Sequence, residues 1–228
     1  MNELLLQGLS ELGLDVSRAE TLERFSSLLL EKNQVMNLTA ITEPDAVAQL
    51  HLLDSAALLP FVNLTGKTVV TGAGFPGMPL RILKDDFDLT LLDSLGKRVN
   101  WLQEVCDELQ LKRVACVHAR AEEFAMQHRE QFDIATARAV ADLRILCELC
   151  LPLVKVGGQF IAMKSVDTED EIDAAKSAIK TLGGHIVKVE DYTIPTSDVV
   201  HRLVIVEKVS PTPRAYPRAF AKIKKAPL

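Results

Sequence analysis

Four short stretches set residues suited to nucleotide binding at the ends of apolar runs. Thr71-Gly-Ala-Gly-Phe-Pro-Gly77 follows a β-like run and precedes a helical one. Glycines such as Gly72 and Gly74 let backbone N–H groups come close to a ligand, and Pro76 or Pro79 starts a helix without losing a needed donor. Glycines also make ordinary tight turns, so context has to decide. The next apolar run ends in Asp93, where an acidic side chain accepts both hydroxyls of a ribose or caps the following helix. The third ends at His118-Ala-Arg-Ala-Glu-Glu-Phe124; its acidic pair either accepts a hydrogen bond from an adenine amino group or complements a helix N-terminus. The fourth runs into Ala137-Arg138-Ala139, a base that either pairs with an acidic neighbour or faces a ligand at the end of a parallel strand.

Other reactive residue types have plainer readings. Cys147 and Cys150 have metal-like spacing but lie on an expected helix with no second pair to complete four ligands, so no metal is expected. His51 is a lone histidine in an apolar helix and reads as a packed or capping residue. Trp101 reads as core. No Ser, His and Asp set and no complete Walker loop appears.

The elements that must carry these residues show in the periodicity. Ser17 is placed to cap a helix carrying Leu22, Phe25, Leu28, Leu29 and Val35, and Pro44 opens another ahead of Val47, Leu50, Leu53 and Leu58. Residues 68–70, 89–92, 114–118, 132–136 and 158–163 then read as strands. They alternate with helices over 79–83, 97–109, 122–127 and 143–153. That alternation implies right-handed crossovers and a mostly parallel, doubly wound α/β sheet. After a helix over 168–182, strands at 185–190 and 200–208 have no helix between them and should form an antiparallel edge.

The 228 residues, 48% hydrophobic and 25% charged, fit one domain overall. Its parts are a helical extension (1–62), an α/β core (63–210) and a tail (211–228). No stretch approaches the ~20 apolar residues of a membrane span and no basic leader precedes the first apolar run, so a cytoplasmic protein is expected. The four cysteines read as reduced thiols. The net charge of −5 hides an asymmetry: Arg214, Arg218, Lys222, Lys224 and Lys225 are the only charges in the tail, leaving 21 bases against 31 acids, or −10, elsewhere. The tail is either a solvated terminus or a polyanion contact.

Seven segments carry a more specific signal: Asn37-Leu-Thr-Ala-Ile41, His51-Leu-Leu-Asp-Ser55, Gly72-Ala-Gly-Phe-Pro-Gly77, Leu91-Leu-Asp-Ser-Leu-Gly-Lys-Arg98, His118-Ala-Arg-Ala-Glu122, Ala137-Arg-Ala139, and the closing Tyr216-Pro-Arg218 with Lys224-Lys-Ala-Pro-Leu228. Together they resemble the ribosomal RNA small subunit methyltransferase G family, formerly glucose-inhibited division protein B, over nearly the whole chain. The resemblance implies a Rossmann-like, class I fold dependent on S-adenosyl-L-methionine (AdoMet), with methyl transfer to N7 of a guanine in 16S ribosomal RNA of the small subunit. It implies that Gly72, Gly74 and Phe75 line the AdoMet pocket, Asp93 holds the ribose and Ala121 with Glu122 meets the adenine. Arg138 would face cofactor and target base as the catalytic residue, the tail bases would track RNA phosphates, and no obligate protein partner is expected. Relative to the family pattern an acidic residue and a glycine before Thr71 have no counterpart, leaving the chain three residues short, about 10 Å of strand. Such a gap inverts the side-chain alternation unless the strand slides, drawing Lys67 and Thr68 inward. Leu50 and Ala219 stand where the family commonly has bases. The short loop leaves open an RNA-binding protein without methyl transfer, and its literal Gly-x-Gly-x-x-Gly leaves open a nicotinamide-dependent oxidoreductase.

Overall fold

The computed structural model describes residues 2–72, 74–138 and 141–228. Ala73 and Ala139, in two of the motifs above, lie outside the described residues. Seven strands form one sheet: β1 (Gly66–Thr71), β2 (Phe87–Asp93), β3 (Val114–His118), β4 (Phe132–Arg138), β5 (Val154–Ser165), β6 (Gly184–Thr193) and β7 (Val200–Lys208). Their order is β3-β2-β1-β4-β5-β7-β6. The first five pair in parallel, and β7 runs antiparallel between β5 and β6. The two segments expected to form an antiparallel edge do so, with β7 inside and β6 outermost. Successive strands move outward in opposite directions from β1 and β4, so the crevice between their C-terminal ends is the topological switch point where ligands bind in such sheets.

Both faces of the sheet are covered. In β1, Val69 and Val70 are each fully buried but point to opposite layers, as strand alternation requires. Val70 joins the core formed with α1 (Glu3–Glu11), α2 (Ala19–Met36), α3 (Pro44–Val47), α4 (Asp54–Ala56), α5 (Gly77–Leu83) and α6 (Gly96–Glu108). Val69 joins the core formed with α7 (Ala121–Gln127), α8 (Leu143–Cys150) and α9 (Glu169–Thr181). Trp101 is core, 6.3 Å from Phe25. A last short helix, α10 (Phe220–Lys225), ends the tail.

Several expectations need correction. Ser17 does not cap α2; Asp15 accepts its N–H at 2.9 Å and nucleates a single 3-10 turn before the helix. Val35 is 81% exposed, because α2 overhangs the core at its C-terminal end. Between α3 and α4, residues Ala48–Leu53 form a π-helical turn rather than continuing the expected α-period. Thr68 has moved into the core with no hydrogen-bond partner for its hydroxyl among the described residues, while Lys67 remains exposed and sends its backbone N–H to Asp133 at 2.7 Å. Gly66-Lys67-Thr68 spells the end of a Walker signature but opens β1 instead of closing a phosphate loop.

Candidate functional site

Two cavities open at the C-terminal ends of the parallel strands. The smaller, about 320 Å³, lies over β1 and β2 and is lined by Gly72, Asp93, Arg98, Ala121, Glu122 and Phe220, among others. Asp93 ends β2 with its side chain only 5% exposed. One carboxylate oxygen accepts the Leu95 N–H at 2.8 Å and the other lies 3.6 Å from Arg98. Asp93 thus satisfies the turn before α6 and still lines the cavity; it is not the helix cap, because Leu95 holds that position without a side-chain cap bond. Glu122, in the first turn of α7, is buried and held by Arg120 at 2.7 Å. Gly72 has φ +114°, and a Cβ there would meet nothing within 4 Å; it would project into the open space instead of packing. Two acids at the ends of adjacent strands and a bare backbone on the third give the donor and acceptor set that a nucleoside requires.

Gly74 and Phe75 are absent from that wall. A Cβ on Gly74 would strike the Leu102 side chain at 2.7 Å, so this glycine permits close helix packing. Phe75 is buried 5.5 Å from Phe25 and 4.8 Å from the His51 ring, with the Arg138 guanidinium 4.7 Å above its own ring. It packs against His51 and Arg138, two residues that line the second cavity.

That cavity, about 740 Å³, is walled by His51, Asp54, Arg138, Lys164, Glu171 and His201, with neighbours. The two cavities sit over neighbouring strand ends: Thr71 of β1, in the wall of the smaller, is the register partner of Ala137, the residue before Arg138 in the wall of the larger. Arg138 donates to the Leu50 carbonyl at 3.1 Å, to Asp54 at 3.1 Å and to His51 Nδ1 at 2.8 Å. Arginine is a donor only, so His51 Nδ1 accepts, and its Nε2 carries the proton toward the Thr39 hydroxyl 2.7 Å away. Burial and then the Arg138 charge bring the His51 pKa down to about 4, so this ring stays neutral. Asp54, 1% exposed at its side chain, also accepts from the Tyr192 hydroxyl at 2.7 Å and His201 Nδ1 at 2.8 Å. Burial alone raises its pKa, but the His201 hydrogen bond and the Arg138 charge outweigh that and leave it below the usual carboxylate value. Burial and the Asp54 charge push the Tyr192 hydroxyl upward.

His51 is therefore a cavity residue rather than a merely packed one. Asp54, Lys164, Tyr192 and His201 were not found by sequence reasoning. The signal for Asp54 was present, since three residues after His51 puts both on one helical face. Nothing local marks Tyr192 or His201, which reach Asp54 only because β7 inserts beside β5 and pairs with β6.

The tail is strapped to the body. Arg129 donates to the carbonyls of Thr212, Pro213 and Tyr216, and Ile223 is fully buried. Arg218 forms a two-pronged pair at 2.9 and 2.7 Å with the fully buried carboxylate of Glu148. Its charge is committed to the fold, whereas Arg214, Lys222, Lys224 and Lys225 are exposed. Cys147 and Cys150 are buried thiols; burial raises both, Cys150 to about 12. Among the described residues, no three His, Cys, Asp or Glu side chains gather as a metal site, and no helix is long and apolar enough to cross a membrane.

A family model described as GidB, rRNA small subunit methyltransferase G, matches residues 18–200. Ribosomal RNA small subunit methyltransferase G of Lachnoclostridium phytofermentans is 45% identical, covering 100% of this chain and 97% of that protein. The protein of the same name from Alkaliphilus metalliredigens is 46% identical, over 99% and 98%. Among solved structures, M. jannaschii TYW2 in complex with AdoMet superposes with a TM-score of 0.55 at 15% identity, over 69% of this chain and 76% of that one. At that identity the likeness is one of fold.

Proposed function

The chain belongs to the rRNA small subunit methyltransferase G family, and from that premise we propose that it transfers a methyl group from AdoMet to N7 of a guanine in 16S ribosomal RNA. The observation that carries the reading is the pair of cavities over neighbouring strand ends at the switch point, one with groups suited to a nucleoside and one larger and partly polar. The residues present fit the cofactor: Asp93 suits the ribose hydroxyls, Ala121 and Glu122 the adenine, and Gly72 the close approach of backbone. Bound there, AdoMet supplies an electrophilic methyl group. The target base belongs in the larger cavity, against His51 and Arg138.

Guanine N7 has a lone pair and no proton, so methyl transfer to it needs neither a general base nor an enzyme nucleophile. What this chain contributes is position. Arg138 uses its donors to lock the Leu50 carbonyl, Asp54 and His51, which fixes the cavity wall and places a cation at its lip. The neutral His51 ring, backed by Phe75, offers a flat surface to a base turned out of its strand. Arg214, Lys222, Lys224 and Lys225 suit RNA phosphates. The small ribosomal subunit in the cytoplasm is the proposed setting.

Labelled AdoMet and undermethylated small-subunit particles test the reading, with N7-methylguanine located by selective chain cleavage. The parent should label one guanine, and Arg138→Ala should abolish labelling while circular dichroism shows a folded protein. Full activity of Arg138→Ala refutes its role. A parent that binds RNA without labelling it supports the binding-only alternative, and calorimetric preference for NAD over S-adenosylhomocysteine would restore the oxidoreductase reading.

A further inference from the structure

The smaller cavity has one wall that comes from outside the strand and helix units of the sheet. Phe220, the first residue of α10, lines it together with Asp93, Arg98, Ala121 and Glu122. Its ring is held in place: the Arg120 guanidinium lies over it, 5.1 Å from the centroid, and the same guanidinium pairs with Glu122 at 2.7 Å. Behind it the tail is pinned by buried Ile223 and by the Arg218–Glu148 pair. The ring therefore cannot leave the wall unless buried contacts break. It is half-buried and sits among groups whose chemistry suits a nucleoside; an aromatic face in that position suits a purine. Exposed Lys222, Lys224 and Lys225 follow on the same short helix, so a polyanion gripping them also loads the wall.

We infer that Phe220 is a cofactor-binding residue on the adenosine side of the cavity, and that α10 couples cofactor retention to RNA contact. This rests on the assignment of the cavity to AdoMet. The test is calorimetric titration of the full chain with S-adenosylhomocysteine and with 5′-methylthioadenosine, which lacks the amino-acid end. Phe220→Ala should weaken both about tenfold, within the range found when a base-stacking aromatic is removed. Phe220→Tyr should restore both; Phe220→Leu, which keeps apolar volume, should not, with thermal unfolding confirming that it is folded. Saturating 16S ribosomal RNA should tighten S-adenosylhomocysteine binding in the parent, and replacing Lys222, Lys224 and Lys225 by Gln should remove that gain, since coupling between two ligands is reciprocal.

Asp93→Ala separates the possible failures. If it loses binding while Phe220→Ala and Phe220→Leu bind like the parent, the inference is overturned and the cofactor assignment stands. If the parent binds neither ligand, the assignment itself fails. A loss confined to S-adenosylhomocysteine overturns the adenosine-side placement, and an unchanged affinity with RNA overturns the coupling.

Discussion

Replacing Asp54 by Ala removes one acceptor from three donors at once. The carboxylate is 1% exposed and holds Arg138 at 3.1 Å, His201 at 2.8 Å and Tyr192 at 2.7 Å. Breaking a buried ion pair by deleting one partner costs about 3–5 kcal/mol. Arg138, 17% exposed at its side chain, regains some water and retains Leu50 and His51, which favours the low end. Tyr192, 7% exposed, is left with an unsatisfied hydroxyl at about 1–3 kcal/mol. His201, at 29% side-chain exposure, reaches solvent and adds little. The expected loss is about 5 kcal/mol, or roughly 10–20 °C in Tm for a chain of this size. Asp54→Asn is the informative companion. Its oxygen can still accept from Arg138 while its amide donates to Tyr192 and to the other tautomer of His201, so only the charge is lost and the cost should be smaller. Urea denaturation at neutral pH measures both. Because Asp54 is held below the usual carboxylate pKa of 3.8, its contribution is present above that value and is lost as pH falls further. The gap between parent and Asp54→Ala should therefore close in acid. A cost below about 1 kcal/mol for Asp54→Ala, the level of a surface pair, would refute the claim that this network organises the wall.

Other consequences follow from single residues. Arg218→Ala should destabilise by about 3 kcal/mol or more in urea denaturation, because it strands the buried Glu148 carboxylate; it should leave the salt dependence of RNA binding largely unaltered. Replacing Lys222, Lys224 and Lys225 by Gln should do the reverse, flattening log K against log salt by about 0.7 per lost single-strand phosphate contact in filter-binding titrations, and an unchanged slope would make these bases merely solvated. Thr68→Val should raise stability by about 1 kcal/mol, since a buried hydroxyl without a protein partner is exchanged for a methyl of the same shape; a loss would reveal a bonded hydroxyl. His51 is neutral when folded and titrates near 6.5 when unfolded, so the parent should lose stability as pH falls from 6.5 toward about 4. His51→Gln should flatten that limb of the profile, and an unaltered limb would place the acid sensitivity elsewhere.

Much of the frame is legible in local pattern. A parallel strand buried on both faces must be an apolar run, which is why Val69 with Val70 and Leu91 with Leu92 announce β1 and β2. The ends of such strands are where ligands bind, so Asp93, Glu122 and Arg138 can be singled out before any coordinates exist. Charge counting finds the basic tail, but counting treats all bases alike: it cannot tell Arg218, tied to a buried carboxylate from α8, from Lys222 in solvent. Likewise Gly74 and Phe75 share a motif with Gly72 yet serve packing, Gly74 against Leu102 and Phe75 against Phe25 and His51. The π turn at Ala48–Leu53 escapes a reading based on the α-period, although His51 rides on it and Asp54 directly follows it. The amino-acid sequence by itself determined the family, the alternation of elements and the strand ends that line the two cavities. Only the tertiary structure decided which side chains meet, gathering His51, Asp54, Arg138, Tyr192 and His201 in one network and setting Phe220 in the wall of the other cavity. These residues come from helices, a sheet and a tail far apart in the chain, and the contacts among them follow from strand order and packing, which no local periodicity encodes.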